Sequence, residues 1–230
     1  MEQSLSAQRV LSVLETTCGP NRLMPTEQDL PLPATEGARV INHMESFWIK
    51  TLHNAFRQQY TPSQHPDVVV LSKAYPACGW KRNEFLHDIT VLERIYIRSA
   101  YKEKNLPVAR RILWQVESEL SGNGRDIAID FSKLIAGSAE NKLLIVRRPM
   151  ERQADGQDQV CRFVSEMAVA CLGNLFLAFV PTYASSHQHL ETYWKPNQPL
   201  PFDLFERPAI GPLQLISKPK VSANSGVAAG

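Results

Sequence analysis

Apolar positions recur along this chain with two periods, and the switches between them mark out its elements. Leu5, Val10, Leu11 and Leu14 fall at helical spacing and predict a short amphipathic helix from about Gln3 to Thr17, ended by Gly19 and Pro20. Pro25, Pro31 and Pro33 keep the next stretch irregular. Val40, Ile41, Met44, Phe47, Trp48, Leu52 and Phe56 then line one face of a long helix from about Ala38 to Gln59. The compact run Asp67 to Leu71 reads as a buried strand. Glu84 to Ile97 is strand-like for most of its length, and Val108 to Glu119 reads as its antiparallel return. A helix over Tyr96 to Glu119 is the competing reading; Pro107 and the β-branched and aromatic content speak against it. A helix from Asp126 to Ala139, a strand from Lys142 to Val146, a loop from Met150 to Gln157, a helix from Gln159 to Leu172 and a strand from Leu175 to Val180 complete the pattern.

Strands separated by helices of this length need crossover connections, so the expected class is α/β, with a mixed central sheet flanked by helices on both faces. At 230 residues the chain holds one substantial core. The expected organisation is an N-terminal helix and proline-marked connection over 1–37, an α/β core over 38–180, and a proline-rich C-terminal arm over 181–230 that wraps the core in extended form and ends in a disordered tip.

Composition narrows the class without naming an activity. Apolar residues at 43% and charged residues at 21% are ordinary for a soluble globular protein. A formal charge of +2 lacks the basic excess of a dedicated nucleic-acid binder, so any such contact needs a local patch. Cys18, Cys78, Cys161 and Cys171 form no C-x-x-C pair and have no histidines at zinc-finger spacing, which leaves a reducing cytoplasm as the expected location. The N-terminus has no continuous apolar core of the signal-peptide kind, and no apolar run approaches the roughly 20 residues of a membrane span.

The candidate chemistry is acidic. Alternate residues of a strand share a face, so Glu117 and Glu119 point the same way. If the hairpin sets Asp88 opposite them, three carboxylates converge, at a cost that a cation or a retained proton would relieve. Mg²⁺ or Mn²⁺ suits such oxygen ligands. A metal held this way polarises a phosphodiester and activates its bound water.

These segments, EFLHDITVLE and LWQVESEL followed by DFSKLIAGSAENKLLIV, resemble the PD-(D/E)XK, restriction-endonuclease-like superfamily, in particular a pattern seen in uncharacterised bacterial members. The resemblance spans about residues 38 to 180. It implies a restriction-endonuclease-like core and a metal-dependent nuclease or endonuclease acting on DNA, with Asp88 and Glu117 as metal ligands. The third position, usually lysine in that superfamily, is Glu119, which leaves the ammonium to Lys133 one helix later, with Lys142 as second choice. The site expected on this basis is therefore Asp88, Glu117, Glu119 and Lys133, the three acids also holding the metal. The alternative function is an inactive nuclease-fold module that docks a partner protein through the C-terminal arm.

Plainer readings stand beside each of these. The acids also read as a solvated strand face paired with Arg110 and Arg111, and Lys133 as a lysine snorkelling off an apolar stripe. Glu45 is a possible extra ligand or a helix-surface residue, and Glu84 a possible cluster member or a strand-end ion pair. His187 and His189 make a metal-capable pair or an incidental one. The tryptophans Trp48, Trp80, Trp114 and Trp194 read as packing residues or loop anchors. Lys81, Arg82, Arg94, Arg98, Lys102, Lys104, Arg110 and Arg111 gather around the hairpin, either to contact DNA phosphates or as a mixed-charge face with Glu93 and Glu103.

Overall fold

The computed structural model describes residues 5–18, 37–73, 87–99, 105–149, 155–180, 202–207 and 213–217, with residues 37–47 and 217 described by backbone alone. The helices are α1 (Leu5–Cys18), α2 (Gly37–Gln59), α3 (Gly124–Ala136) and α4 (Gly156–Met167), the last running on as a 3-10 turn over Ala168–Ala170. The strands are β1 (Val68–Ser72), β2 (Ile89–Arg98), β3 (Asn105–Glu119), β4 (Asn141–Arg147), β5 (Asn174–Val180), β6 (Asp203–Arg207) and β7 (Gln214–Ser217). They form one seven-stranded sheet in sequence order. β1, β2 and β3 make an antiparallel meander, β3, β4 and β5 run parallel, and β6 and β7 return antiparallel. The expected α/β class and mixed sheet are what the chain adopts.

Period-2 alternation divides the apolar side chains of the central strands between two layers. Leu143 and Ile145 of β4, with Phe176, Ala178 and Val180 of β5, face α1 and α2; Leu144, Val146, Leu175, Leu177 and Phe179 face α3 and α4. Strands buried on both faces need no polar alternation, which is why they read as short continuous apolar runs. In the first layer Trp114 lies with ring centroids 5.6 Å from Phe56 and 5.8 Å from Phe176. Its Nε1 donates to the Tyr60 hydroxyl at 2.9 Å, and that hydroxyl also accepts from Arg9 of α1 at 3.3 Å. In this way one buried indole joins both N-terminal helices to the middle of the sheet.

Three boundaries differ from the sequence reading, each for a visible reason. α3 stops at Ala136, because the Gly137 N–H turns back to the carbonyls of Lys133 and Leu134 while the Gly137 carbonyl accepts from Lys142 Nζ at 2.7 Å. A Cβ at Gly137 would collide with the Gln115 side-chain amide. α4 gives way to the 3-10 turn at Ala168, where Arg207 of β6 donates to the carbonyls of Ala168 and Cys171 and satisfies the helix end. Beyond Pro181, the expected extended wrap is replaced over 203–207 and 214–217 by β6 and β7, which add to the sheet beside β5. The tip expected to be disordered lies outside the described residues.

The β2–β3 hairpin outgrows its neighbours. β1 pairs with β2 only as far as Glu93, and β4 pairs with β3 only from Trp114 onward. Residues 94–98 and 105–112 therefore continue as a two-stranded ribbon, in which Pro107 sits where a strand with one partner tolerates it. No helix among the described residues is long and apolar enough to cross a membrane.

Two glycine substitutions test how tightly the crossovers are seated. Gly173, at φ +82°, enters β5 with space for a Cβ only 2.6 Å from the Glu140 carbonyl oxygen, so Gly173→Ala is expected to cost about 1–3 kcal/mol or more in urea unfolding. Gly124 opens α3 and its Cβ would meet nothing within 4 Å, so Gly124→Ala is expected to stay within about 0.5 kcal/mol of wild type. Equal losses from the two substitutions would contradict this seating of β5.

Candidate functional site

β3 is the strand at which the sheet changes from antiparallel to parallel pairing. Its β2 side belongs to the hairpin, and its exit leads into the α3 crossover. Glu117, near the end of β3, is fully buried on the face covered by α3. Two groups from different elements hold its carboxylate: His87 Nδ1 lies 2.8 Å from Oε1, and Lys133 Nζ donates to Oε2 at 3.2 Å. Lys133 also pairs with Asp130 Oδ1 at 2.7 Å, one helical turn back on α3.

Asp88 does different work beside it. The β2–β3 ladder begins with Ile89 opposite Val116, and the residues just before it reach across with side chains. Asp88 Oδ2 accepts from the Ser118 N–H at 2.8 Å and from its hydroxyl at 2.6 Å, while Oδ1 pairs with Lys73 Nζ at 2.7 Å. The carboxylate thus takes the place of a ladder carbonyl for Ser118. His87 and Asp88, consecutive in sequence, grip consecutive residues of β3.

Electrostatics separate the three acids. Burial raises the Glu117 pKa above its usual value; Asp88's charge pushes it further, and the His87 bond and Lys133 pull against this rise. Burial likewise raises Glu119, but its charged neighbours are Asp130 and Asp126 of α3, and its Oε1 accepts from the Ser121 N–H at 2.6 Å. Burial alone would lower the Lys133 pKa; bonding and attraction from Asp130 and Glu117 outweigh it and carry it above 10.5.

The structure therefore brings together Asp88, Glu117 and Lys133 of the expected set, and turns Glu119 toward its own loop and the first turns of α3. Lys142 is fully buried and spent on the end of α3. Arg110 and Arg111 bind Glu93 on the ribbon, away from the acids they were set against in the plainer reading. The side chain of Glu45, and all of Glu84, His187, His189, Trp80, Trp194, Lys81, Arg82, Lys102 and Lys104, lie outside the described residues. Trp48 and Trp114 are buried packing residues. Sequence reasoning missed Lys73, His87, Asp130 and Ser118. The one signal available for His87 was its place directly before Asp88 on an apolar strand.

Asp88 and Glu117 fit a hard divalent cation in donor type, since both are carboxylates and the charge of one raises the proton affinity of the other. Among the described residues no three His, Cys, Asp or Glu side chains gather as a group able to hold a metal, so Glu119 does not complete the set.

A carboxyl with a raised folded-state pKa favours the fold most below its unfolded value, and that contribution is lost as pH rises through the folded value. The unfolding free energy of wild type relative to Glu117→Gln is accordingly expected to fall as pH increases from 4.5, and to level off once Glu117 is ionised in both states. Urea titrations of the two proteins at stepped pH measure it; a difference that rises with pH would contradict the burial argument. No family model matches the chain, and no curated protein or solved structure proves similar to it.

Proposed function

We propose that this protein is a metal-dependent nuclease acting on DNA, built on a restriction-endonuclease-like core. The observation that carries the reading is the Lys133 ammonium 3.2 Å from Glu117 Oε2. The superfamily pattern puts a lysine two residues beyond the second acid; here glutamate stands at that position and a lysine arrives from the next helix. The order of elements supports it as well: a long helix, a three-stranded meander with an acid at the head of β2 and another on β3, then a crossover helix to a parallel strand.

In this reading Asp88 and Glu117 are the residues that hold Mg²⁺ or Mn²⁺. When bound, the metal supplies charge for the phosphodiester and lowers the pKa of its water. The chain's own contributions are positional. Ser118 and Lys73 fix the Asp88 carboxylate, and His87 fixes Glu117. Lys133, 41% exposed and held between Asp130 and Glu117, presents a cation where negative charge would build on phosphate oxygens. A cytoplasmic location suits both the free cysteines and DNA as substrate.

A second reading has its own observation. Each oxygen of Asp88 and Glu117 already has a protein partner, so the network is complete as an inert polar tie, as in a decayed site on a protein-docking module.

Purified wild type is expected to cut plasmid or single-stranded DNA with Mg²⁺ or Mn²⁺, Lys133→Ala to be slower by about 10²–10³, and Glu117→Ala to be inactive. Equal cleavage by wild type and Glu117→Ala would assign the activity to a contaminant. No cleavage by wild type, together with no metal-induced rise in its melting temperature, would favour the inert module.

A further inference from the structure

The ribbon formed by residues 94–98 and 105–112 divides the basic residues around the hairpin into two unlike sets. Its cross-strand pairs Ile95↔Val108 and Ile97↔Leu106 build one aliphatic face, with Ile95, Ile97 and Leu106 exposed. The intervening pairs, Arg94↔Ala109, Tyr96↔Pro107 and Arg98↔Asn105, build the other. Both register shifts skip residues of β3, so alternation along β2 is unbroken. Arg94, Tyr96 and Arg98 thus share the sheet face of Thr90, whose opposite number Gln115 lies two residues from Glu117 and bonds to Ala139 just beyond α3. The ribbon's arginines stand on the side of the acidic site.

Charge separates the sets as well. Arg110 and Arg111 are neutralised by Glu93, and Arg111 also by Glu140. Arg98 is exposed and forms no ion pair among the described residues. Arg94 lies over the Tyr96 ring at 5.3 Å, and its buried Nε bonds to nothing. Tyr96 is 52% exposed. An exposed aromatic ring flanked by two arginines that pair with no carboxylate among the described residues offers a stacking surface for a base and two contacts for its phosphates.

Resting on the nuclease reading, the geometry points to this face, Arg94, Tyr96 and Arg98, as an arm that binds single-stranded DNA outside the reacting centre. Tyr96 lies eight residues along β2 from Asp88, roughly 27 Å at strand rise. Contacts made equally before and during reaction govern KM and leave kcat alone, and that is the behaviour expected of this face. The aliphatic face directs the charged backbone to this side of the ribbon.

Fluorescence anisotropy with a labelled oligothymidine of about 20 nucleotides, on metal-free protein over a range of KCl, tests this. Arg94→Gln with Arg98→Gln is expected to weaken binding at least about tenfold and to flatten the salt slope by about 1.4. Tyr96→Ala is expected to weaken it roughly tenfold, Tyr96→Phe to restore it, and Arg110→Ala to leave it unchanged. Urea midpoints equal to wild type establish that the variants fold. Wild type that binds no DNA, ribbon variants with unaltered affinity and slope, or Tyr96→Ala that binds as wild type does would each overturn the arm. Ribbon-dependent binding without cleavage would sink the nuclease reading and keep the arm. Cleavage with KM indifferent to the ribbon would do the reverse.

Discussion

The fully buried carboxylate of Glu117 is the constraint around which this architecture is arranged. A charge removed from water is tolerated only with partners that supply hydrogen bonds and opposite charge. Here those partners come from two other parts of the chain, Lys133 on α3 and His87 ahead of β2. Satisfying one side chain therefore fixes how α3 lies on the sheet and where β2 begins against β3. Loss of either partner would leave a buried acid short of a bond, a larger penalty than the loss of an exposed ion pair.

Topology explains why such a residue sits on β3. This strand has a hairpin partner on one side and a parallel partner, reached through a crossover helix, on the other. Its last residues are thus reached by loop residues ahead of β2 and by a helix face at once. β1 runs in the same direction as β3, which brings Lys73, just past the end of β1, to the same edge of the sheet. That edge, outside the carboxyl ends of parallel strands, is where open α/β sheets usually place their ligands.

The order of elements from α1 to β5 was legible because each apolar run is short, bounded by Gly or Pro, and keeps one period. The same-face relation of Glu117 and Glu119 follows from strand geometry alone, and Lys133 could be singled out by its position on the next helix. Lys73 and Asp130 could not, since their roles depend on which loop and which helix turn arrive beside the acids. Glu119 obeys the alternation yet leaves the cluster: β3 ends there, and the Ser121 N–H captures its carboxylate. β6 and β7 were hidden because the prolines around them and their mixed polarity suggest a wrap, while the pairing that makes β6 a strand is supplied by β5, a non-local partner.

The distribution of exposure gives the polar network a direction. The carboxylate side chains of Asp88 and Glu117 are 7% and 1% exposed, against 36% and 41% for Lys73 and Lys133. The acids form the floor and the ammonium groups stand between them and solvent. Lysine ammonium is a mobile point charge on a flexible stem, readily rehydrated, whereas His87 and Ser118 are buried and fixed. Each acid is thus held by one buried partner beneath it and one ammonium on the solvent side.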